Sequence, residues 1–304
     1  MKKYLKLIRV KHWLKNILIF LPLFFSQKIL NTELLIKCIV GFFIFSFTSC
    51  TVYVINDLND IEKDRLHPIK KKRTLATGAI PKEKAYILII ILLMFTIIQM
   101  LLLWKNDNNA FIFIIPCIYL IINILYSKGL KDIQIIDVGI IVVGFILRVV
   151  YGGLLTNVEV SKYLYLMIIF GSFYLGFGKR RNEIINNGDK SRKVLEIYNK
   201  VFLDKNMYVA LSLGIVSYTL WCVDPTTISR IDNDYIFWTI PLLMIILQLY
   251  SLNIEGNSSG DPIEVIFADK KLLISTIIYV LVMAMLLYLK RKRERLWKKI
   301  QYCT

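Results

Sequence analysis

The chain has 304 residues, 56% of them hydrophobic, with a formal net charge of +17 and a mean hydropathy of +0.57. A soluble globular domain runs near ~45–50% apolar, so composition excludes that class. The apolar residues fall into blocks of about 20, enough to cross ~30 Å of hydrocarbon, and the cations sit between the blocks. Cytoplasmic loops gather cations in this way, and they favour anionic headgroups, so the basic excess calls for a bilayer and no nucleic acid. The chain reads as one all-α domain, a polytopic membrane helix bundle.

In chain order, a basic opening, MKKYLKLIRVKHWLKN, precedes nine predicted spans: 15–30, 34–55, 85–104, 110–126, 135–154, 161–178, 206–223, 235–252 and 271–289. The opening is basic for too long to be a cleavable signal, and no small-residue cleavage site follows it. Pro22 interrupts the first span. Cations crowd the segment before span one and the loops after spans two, four and six, and are sparse in the alternate loops. That asymmetry puts the N-terminus and the even-numbered loops in the cytoplasm. Two of those loops, 56–84 and 179–205, exceed ordinary helix connections, so the chemistry is expected to face the cytoplasm. The basic tail 290–304 disagrees, because nine spans leave it outside; an eight-span count would bring it in. The five cysteines, Cys38, Cys50, Cys117, Cys222 and Cys303, form no CxxC pair, and His12 and His67 are too separated for a histidine-rich metal centre.

The second span runs into NDLNDIEKD, which holds Asn56, Asp57, Asp60 and Asp64. At about 100° per residue, Asp60 lies about 60° and Asp64 about 20° from Asp57 around a helix. Asn56 sits at the edge of the same arc. Three carboxylates this close repel one another unless a cation joins them. Mg²⁺ takes carboxylate oxygens, keeps several waters and binds substrate phosphates, so a Mg²⁺–diphosphate is the expected guest. A lone DxxD would read as a solvated helix end; an asparagine and three aspartates fused to a span do not.

These residues resemble the first aspartate-rich motif of the UbiA-type intramembrane prenyltransferase superfamily. The resemblance implies about nine transmembrane helices around a central cavity open to the cytoplasm, with Mg²⁺ between the aspartates and a diphosphate. Further stretches resemble the branch that includes decaprenyl-phosphate phosphoribosyltransferase. They are RVKHWLKNILIFLPLFF, HPIKKKRTLATGAI, YSKGLKDIQIIDVGIIVVGFILRVVYGG, LGFGKRRNEI and GDPIEVIFADKKLL, together spanning Arg9 to Leu273. The departures are Val10 for proline, His12 for glutamine, Thr74 for proline and Thr77 for serine. Aromatic prenyltransferases of the superfamily carry a second DxxxD where this chain has Asp137 alone, followed by Arg148 inside the span. One acidic cluster with extra cations suits a diphosphate-bearing donor and an anionic acceptor.

The branch implies transfer of 5-phosphoribose from 5-phosphoribosyl 1-diphosphate to a polyprenyl phosphate, Mg²⁺-dependent, at the cell (inner) membrane. Asp57, Asp60 and Asp64 would be the catalytic metal ligands, with Asn56 beside them. Substrate-binding cations would come from Lys15, Lys72, Arg73, Lys128, Lys131, Lys179, Arg180 and Arg181, of which Lys15 and Arg73 sit inside matched motifs. Lys70, Lys71, Lys190 and Arg192 read as surface charge. Arg148, inside a span, must face the bundle interior or a wet cavity. Asp137 shares its helix face but lies roughly 16 Å away along the axis, so the two do not pair. Tyr126, Asp137 and Glu183 complete the candidates. Gly152 and Gly153 read as sites of close helix packing. Two other classes compete: an aromatic prenyltransferase, against which the missing DxxxD argues, and an anion transporter, against which the boundary position of the acids argues. A homo-oligomer is compatible with the sequence.

Overall fold

The computed structural model describes residues 2–66, 70–107, 109–187, 193–256, 258 and 260–289. Lys190, Arg192 and the 290–304 tail lie outside them. Among the described residues there are helices and no strand. The helices are α1 (Lys2–Leu7), α2 (Leu21–Phe25), α3 (Thr32–Asn59), α4 (Ile61–Leu66), α5 (Lys82–Asp107), α6 (Phe111–Lys128), α7 (Ile136–Thr156), α8 (Lys162–Asn187), α9 (Lys200–Val223), α10 (Pro225–Ile231), α11 (Thr239–Glu255), α12 (Pro262–Ala268) and α13 (Lys270–Tyr288). Six of them, α3, α5, α6, α7, α9 and α13, and α11 together with the 3-10 turn before it (Asp234–Glu255), are long and apolar enough to cross a membrane. The chain is built as an integral membrane protein.

The other two predicted spans take different forms. The 15–30 stretch is broken: a 3-10 helical segment, Val10–Phe20, gives way to α2, with Pro22 in its first turn where no amide donor is needed. A 3-10 run of this length is uncommon, and packing from neighbouring helices has to hold it. Ile19 and Leu23 are accordingly fully buried. The 161–178 stretch lies in the 26-residue α8, whose last turns carry Lys179, Arg180, Arg181 and Glu183.

The predicted long loops are also more ordered than their charge suggests. α8 continues to Asn187, so 179–187 is helix, because Arg180 and Arg181 find carboxylates on neighbouring helices. The 56–84 stretch holds the end of α3, then α4, then a 3-10 turn at Lys70–Lys72. Helix starts are capped where the sequence offers a side-chain oxygen: Asn31 for α3, Asn199 for α9, Asp261 for α12 and Asp269 for α13.

At the centre, α7 packs on the Val10–Phe20 segment, α2, α3, α6 and α8. A Cβ at Gly152 would sit 2.0 Å from the Ile19 carbonyl oxygen, so glycine is what lets the Val10–Phe20 segment lie directly on α7. By contrast, α5 packs chiefly on α3 and leaves Ile87, Ile90, Met94, Phe95 and Leu101 exposed. Lipid tails are as apolar as these side chains, so such a face meets lipid without penalty.

Candidate active site

A cavity of about 1100 Å³ opens between the Val10–Phe20 segment, α3, α4, α6, α7 and α8. Asn56, Asp57 and Asp60 line it from the end of α3, and Asp64 joins from α4. The spacing assumed one unbroken helix; the chain instead breaks at Asp60, between α3 and α4, and all four residues still reach the same cavity.

Each acid meets a cation. Asp57 Oδ1 accepts from Arg9 at 2.5 Å and from Arg73 at 3.1 Å. The same guanidinium donates to Asp64 at 2.8 Å. Lys131 donates to both oxygens of Asp60, at 3.1 and 2.9 Å. Asn56 Oδ1 accepts a hydrogen bond from Ser127 on α6. The repulsion expected among the acids is thus relieved by Arg9, Arg73 and Lys131, and among the described residues no three His, Cys, Asp or Glu side chains converge on a metal position. The donor set is nevertheless three carboxylates and an amide oxygen around one cavity, hard ligands of the kind Mg²⁺ takes. It fits the ion, since the cations that hold the acids are ones an arriving diphosphate would attract.

Across the cavity, the Lys15 and Lys179 Nζ atoms lie 3.4 and 3.8 Å from Asp261 Oδ2. Asp261 also caps α12 by accepting from the Ile263 amide at 3.1 Å. The turn that carries it sits tightly on α8: Gly260 has φ +73°, and a Cβ there would lie 3.0 Å from the Lys179 Cα. Burial pushes the Asp261 carboxyl up, but Lys15 and Lys179 outweigh it and hold the group below the usual carboxylate range.

Deeper in the bundle, Arg148 lines the cavity at 5% exposure. Its Nε donates to Asn16 Oδ1 at 2.7 Å, Nη1 to the Gly144 carbonyl at 2.5 Å, and Nη2 to Tyr119 and Ser49 at 3.2 and 3.4 Å. Asn16, fully buried, is fixed in turn by donating to Ser46 at 2.9 Å.

Of the expected substrate contacts, Lys15, Asn56, Arg73, Tyr126, Lys131, Arg148 and Lys179 line the cavity, and five lie apart from it. Lys72 and Lys128 are exposed. Asp137 is fully buried and accepts from Arg180 at 2.6 Å and from the Tyr198 hydroxyl at 2.7 Å. Arg180 also donates to Glu183 at 2.7 Å and to Tyr126 at 3.1 Å. Arg181 donates to Asp204 at 2.5 Å and to the Ile254 carbonyl at 3.1 Å. These three residues tie α8 to α7, α9 and α11. The Tyr198 hydroxyl also accepts from the Ile135 amide at 2.6 Å. Ile135 has φ +66°, a costly conformation for a β-branched residue, so this contact holds the turn that presents Lys131.

Sequence reasoning misses Arg9, Lys70, Ser127 and Asp261. Arg9 reads as one more inside cation, although it opens the RVKHWLKN stretch; Lys70, read as surface charge, lines the cavity. Asp261 lies in the GDPIE stretch, which marks it without a role. Ser127 has no signal beyond being polar at a span end.

Residues 17–267 match the UbiA prenyltransferase family. The chain is 31% identical to a decaprenyl-phosphate phosphoribosyltransferase of Corynebacterium glutamicum, over 94% of this chain and 86% of that protein. It is 30% identical to the Mycolicibacterium smegmatis protein of the same name, over 88% and 87%. Among solved structures, the fold is similar to that of a UbiA homologue from Archaeoglobus fulgidus bound to GPP and Mg²⁺. The TM-score is 0.66 at 20% identity, covering 95% of this chain and all of that one. At that identity the likeness is one of fold.

Proposed function

The chain belongs to the UbiA prenyltransferase family, and from that premise we propose that it transfers 5-phosphoribose from 5-phosphoribosyl 1-diphosphate to a polyprenyl phosphate, releasing diphosphate. The observation that carries this reading is the charge of the cavity wall. Eight cations, Arg9, Lys15, Lys63, Lys70, Arg73, Lys131, Arg148 and Lys179, line it against four acids, Asp57, Asp60, Asp64 and Asp132, with a fifth, Asp261, beside Lys15 and Lys179. A wall that cationic suits two anionic substrates. An aromatic acceptor would answer less of this cation excess than a second phosphate does. The relatives of 30% identity carry the name of this activity.

In this reading Asp57, Asp60, Asp64 and Asn56 hold Mg²⁺, which when bound neutralises the departing diphosphate. Arg9, Arg73 and Lys131 turn from the aspartates to phosphate oxygens, the guanidinium groups as planar forks and the lysine as a point charge. An oxygen of the lipid phosphate forms the new bond to ribose C1. The C1–O bond to diphosphate breaks, and its electron pair leaves on the diphosphate oxygen. The acceptor is already an anion, so no general base is required. Charge at C1 develops as in other glycosyl transfers, and the residues contribute mainly positioning and charge stabilisation. The charged end of the bundle faces the cytoplasm from the inner cell membrane, and the broken first pass and α8 complete nine crossings.

Protein purified in detergent, given Mg²⁺, ribose-labelled 5-phosphoribosyl 1-diphosphate and a polyprenyl phosphate, should move label into the lipid phase, and excess EDTA should stop it. No label in lipid, with turnover of an isoprenyl diphosphate and a phenolic acid, would replace this reading with aromatic prenyl transfer.

A further inference from the structure

We infer that the cavity holds two anion subsites of different make, and that the inner one, centred on Arg148, takes the phosphate monoester of the lipid acceptor. The inference rests on the transfer reading above and divides its two substrates between two places.

The outer subsite is the aspartate rim, where Asp57, Asp60 and Asp64 each already have a cation. The inner subsite is the reverse: a cation without an acid. Among the described residues no carboxylate forms an ion pair with Arg148; its partners, Asn16, Gly144, Ser49 and Tyr119, are all neutral. A guanidinium has five N–H donors, and these contacts use four of them. The group is nine-tenths buried, at membrane depth, and faces a large cavity. An intramembrane cation is costly and marks a functional position; a phosphate would complete both its charge and its donors.

The helix geometry then sets the order of the substrates. Ser49, which touches Arg148, and Asp57 both lie on α3, eight residues apart, or about 12 Å along the axis. That interval accommodates a ribose between two phosphate groups. A nucleophile that displaces diphosphate from C1 approaches from the opposite face, so a donor anchored at the rim must be attacked from within. The wall leading inward is apolar: Ile141 and Phe145 approach Arg148 along α7, with Leu175 facing from α8. A prenyl chain suits such a wall and free phosphate does not, which favours the lipid as the source of the anion.

The test is direct binding without turnover. Radiolabelled farnesyl phosphate, a short polyprenyl phosphate, would be bound to detergent-purified wild type, R148K, R148M and D57N, with 5-phosphoribosyl 1-diphosphate plus Mg²⁺ as a second probe. Expected is a tenfold or greater loss of farnesyl phosphate affinity in R148K, which keeps the charge but not the fork. Donor binding should be retained in R148K, and D57N should show the converse pattern. Y119F, which leaves the cation in place, should weaken farnesyl phosphate severalfold and guards against misfolding of R148M. Wild-type affinity for farnesyl phosphate in R148K and Y119F, or loss of donor binding in them instead, would overturn the assignment. So would inorganic phosphate competing as well as farnesyl phosphate does. Failure of label transfer with this binding pattern intact would sink the transfer reading alone and leave the phosphate subsite standing.

Discussion

Asp137→Asn separates a structural role from a substrate contact. Asp137 and Arg180 are 0% and 1% exposed and meet at 2.6 Å. Breaking a buried pair by neutralising one member costs ~3–5 kcal/mol, because the other charge is left behind. Arg180 would keep Glu183 at 2.7 Å, and the asparagine oxygen can still accept from Tyr198, so the low end applies: about 3 kcal/mol. At ~2–4 °C per kcal/mol, that lowers Tm by roughly 6–12 °C. Buried cysteines such as Cys50 and Cys222 provide the readout, through a thiol-reactive fluorophore followed during heating in detergent. The donor KM should stay within about twofold in variant that remains folded, since Asp137 does not line the cavity. The double variant Asp137→Asn with Arg180→Gln should recover part of the loss, because no bare charge remains. Wild-type stability together with a tenfold rise in donor KM would instead make Asp137 a substrate contact.

Asp60→Asn should reduce transfer by about 100-fold or more, the scale of removing one preorganised electrostatic contact, with an unchanged melting curve; full activity would contradict its place in the metal set. Gly152→Ala forces a methyl group to within 2.0 Å of the Ile19 carbonyl, so it should cost ~1–3 kcal/mol as an overpacked site, read as a lower Tm. Asp261→Asn tests a pH dependence. The folded-state carboxyl is held below its ordinary 3.8, so the ionised group stabilises the fold above that value and ceases to do so as pH falls through its depressed pKa. The Tm gap between wild type and Asp261→Asn should be full at neutral pH and close in acid; a gap that widened in acid would reverse the assigned sign.

What was legible in the sequence follows from what period and charge can encode. Helical spacing placed Asn56, Asp57, Asp60 and Asp64 together, and they do share one cavity even though α3 ends before Asp64. The depth of Arg148 dictated that it face inward, and it does. The partners could not be read, because they come from distant segments: Arg9 is 48 residues from Asp57, and Arg180 is 43 from Asp137. For the same reason Lys179 and Arg180, adjacent in GKRRNE, looked equivalent as phosphate binders. One residue, about 100° around the helix, sends Lys179 to the cavity and Arg180 into the α7–α8 seam. Pro22 announced trouble in the first span, but the 3-10 form of Val10–Phe20 depends on Gly152 admitting its backbone, a tertiary fact.

In the proposed transfer, ribose C1 changes partners while diphosphate departs intact. A donor labelled with radiocarbon in the ribose and with radiophosphorus at the β-phosphate tests it in one extraction. With Mg²⁺ and a polyprenyl phosphate, radiocarbon should enter the lipid phase in step with acceptor consumed, while radiophosphorus stays in water as diphosphate. Radiophosphorus in the lipid, or neither label there, would contradict it.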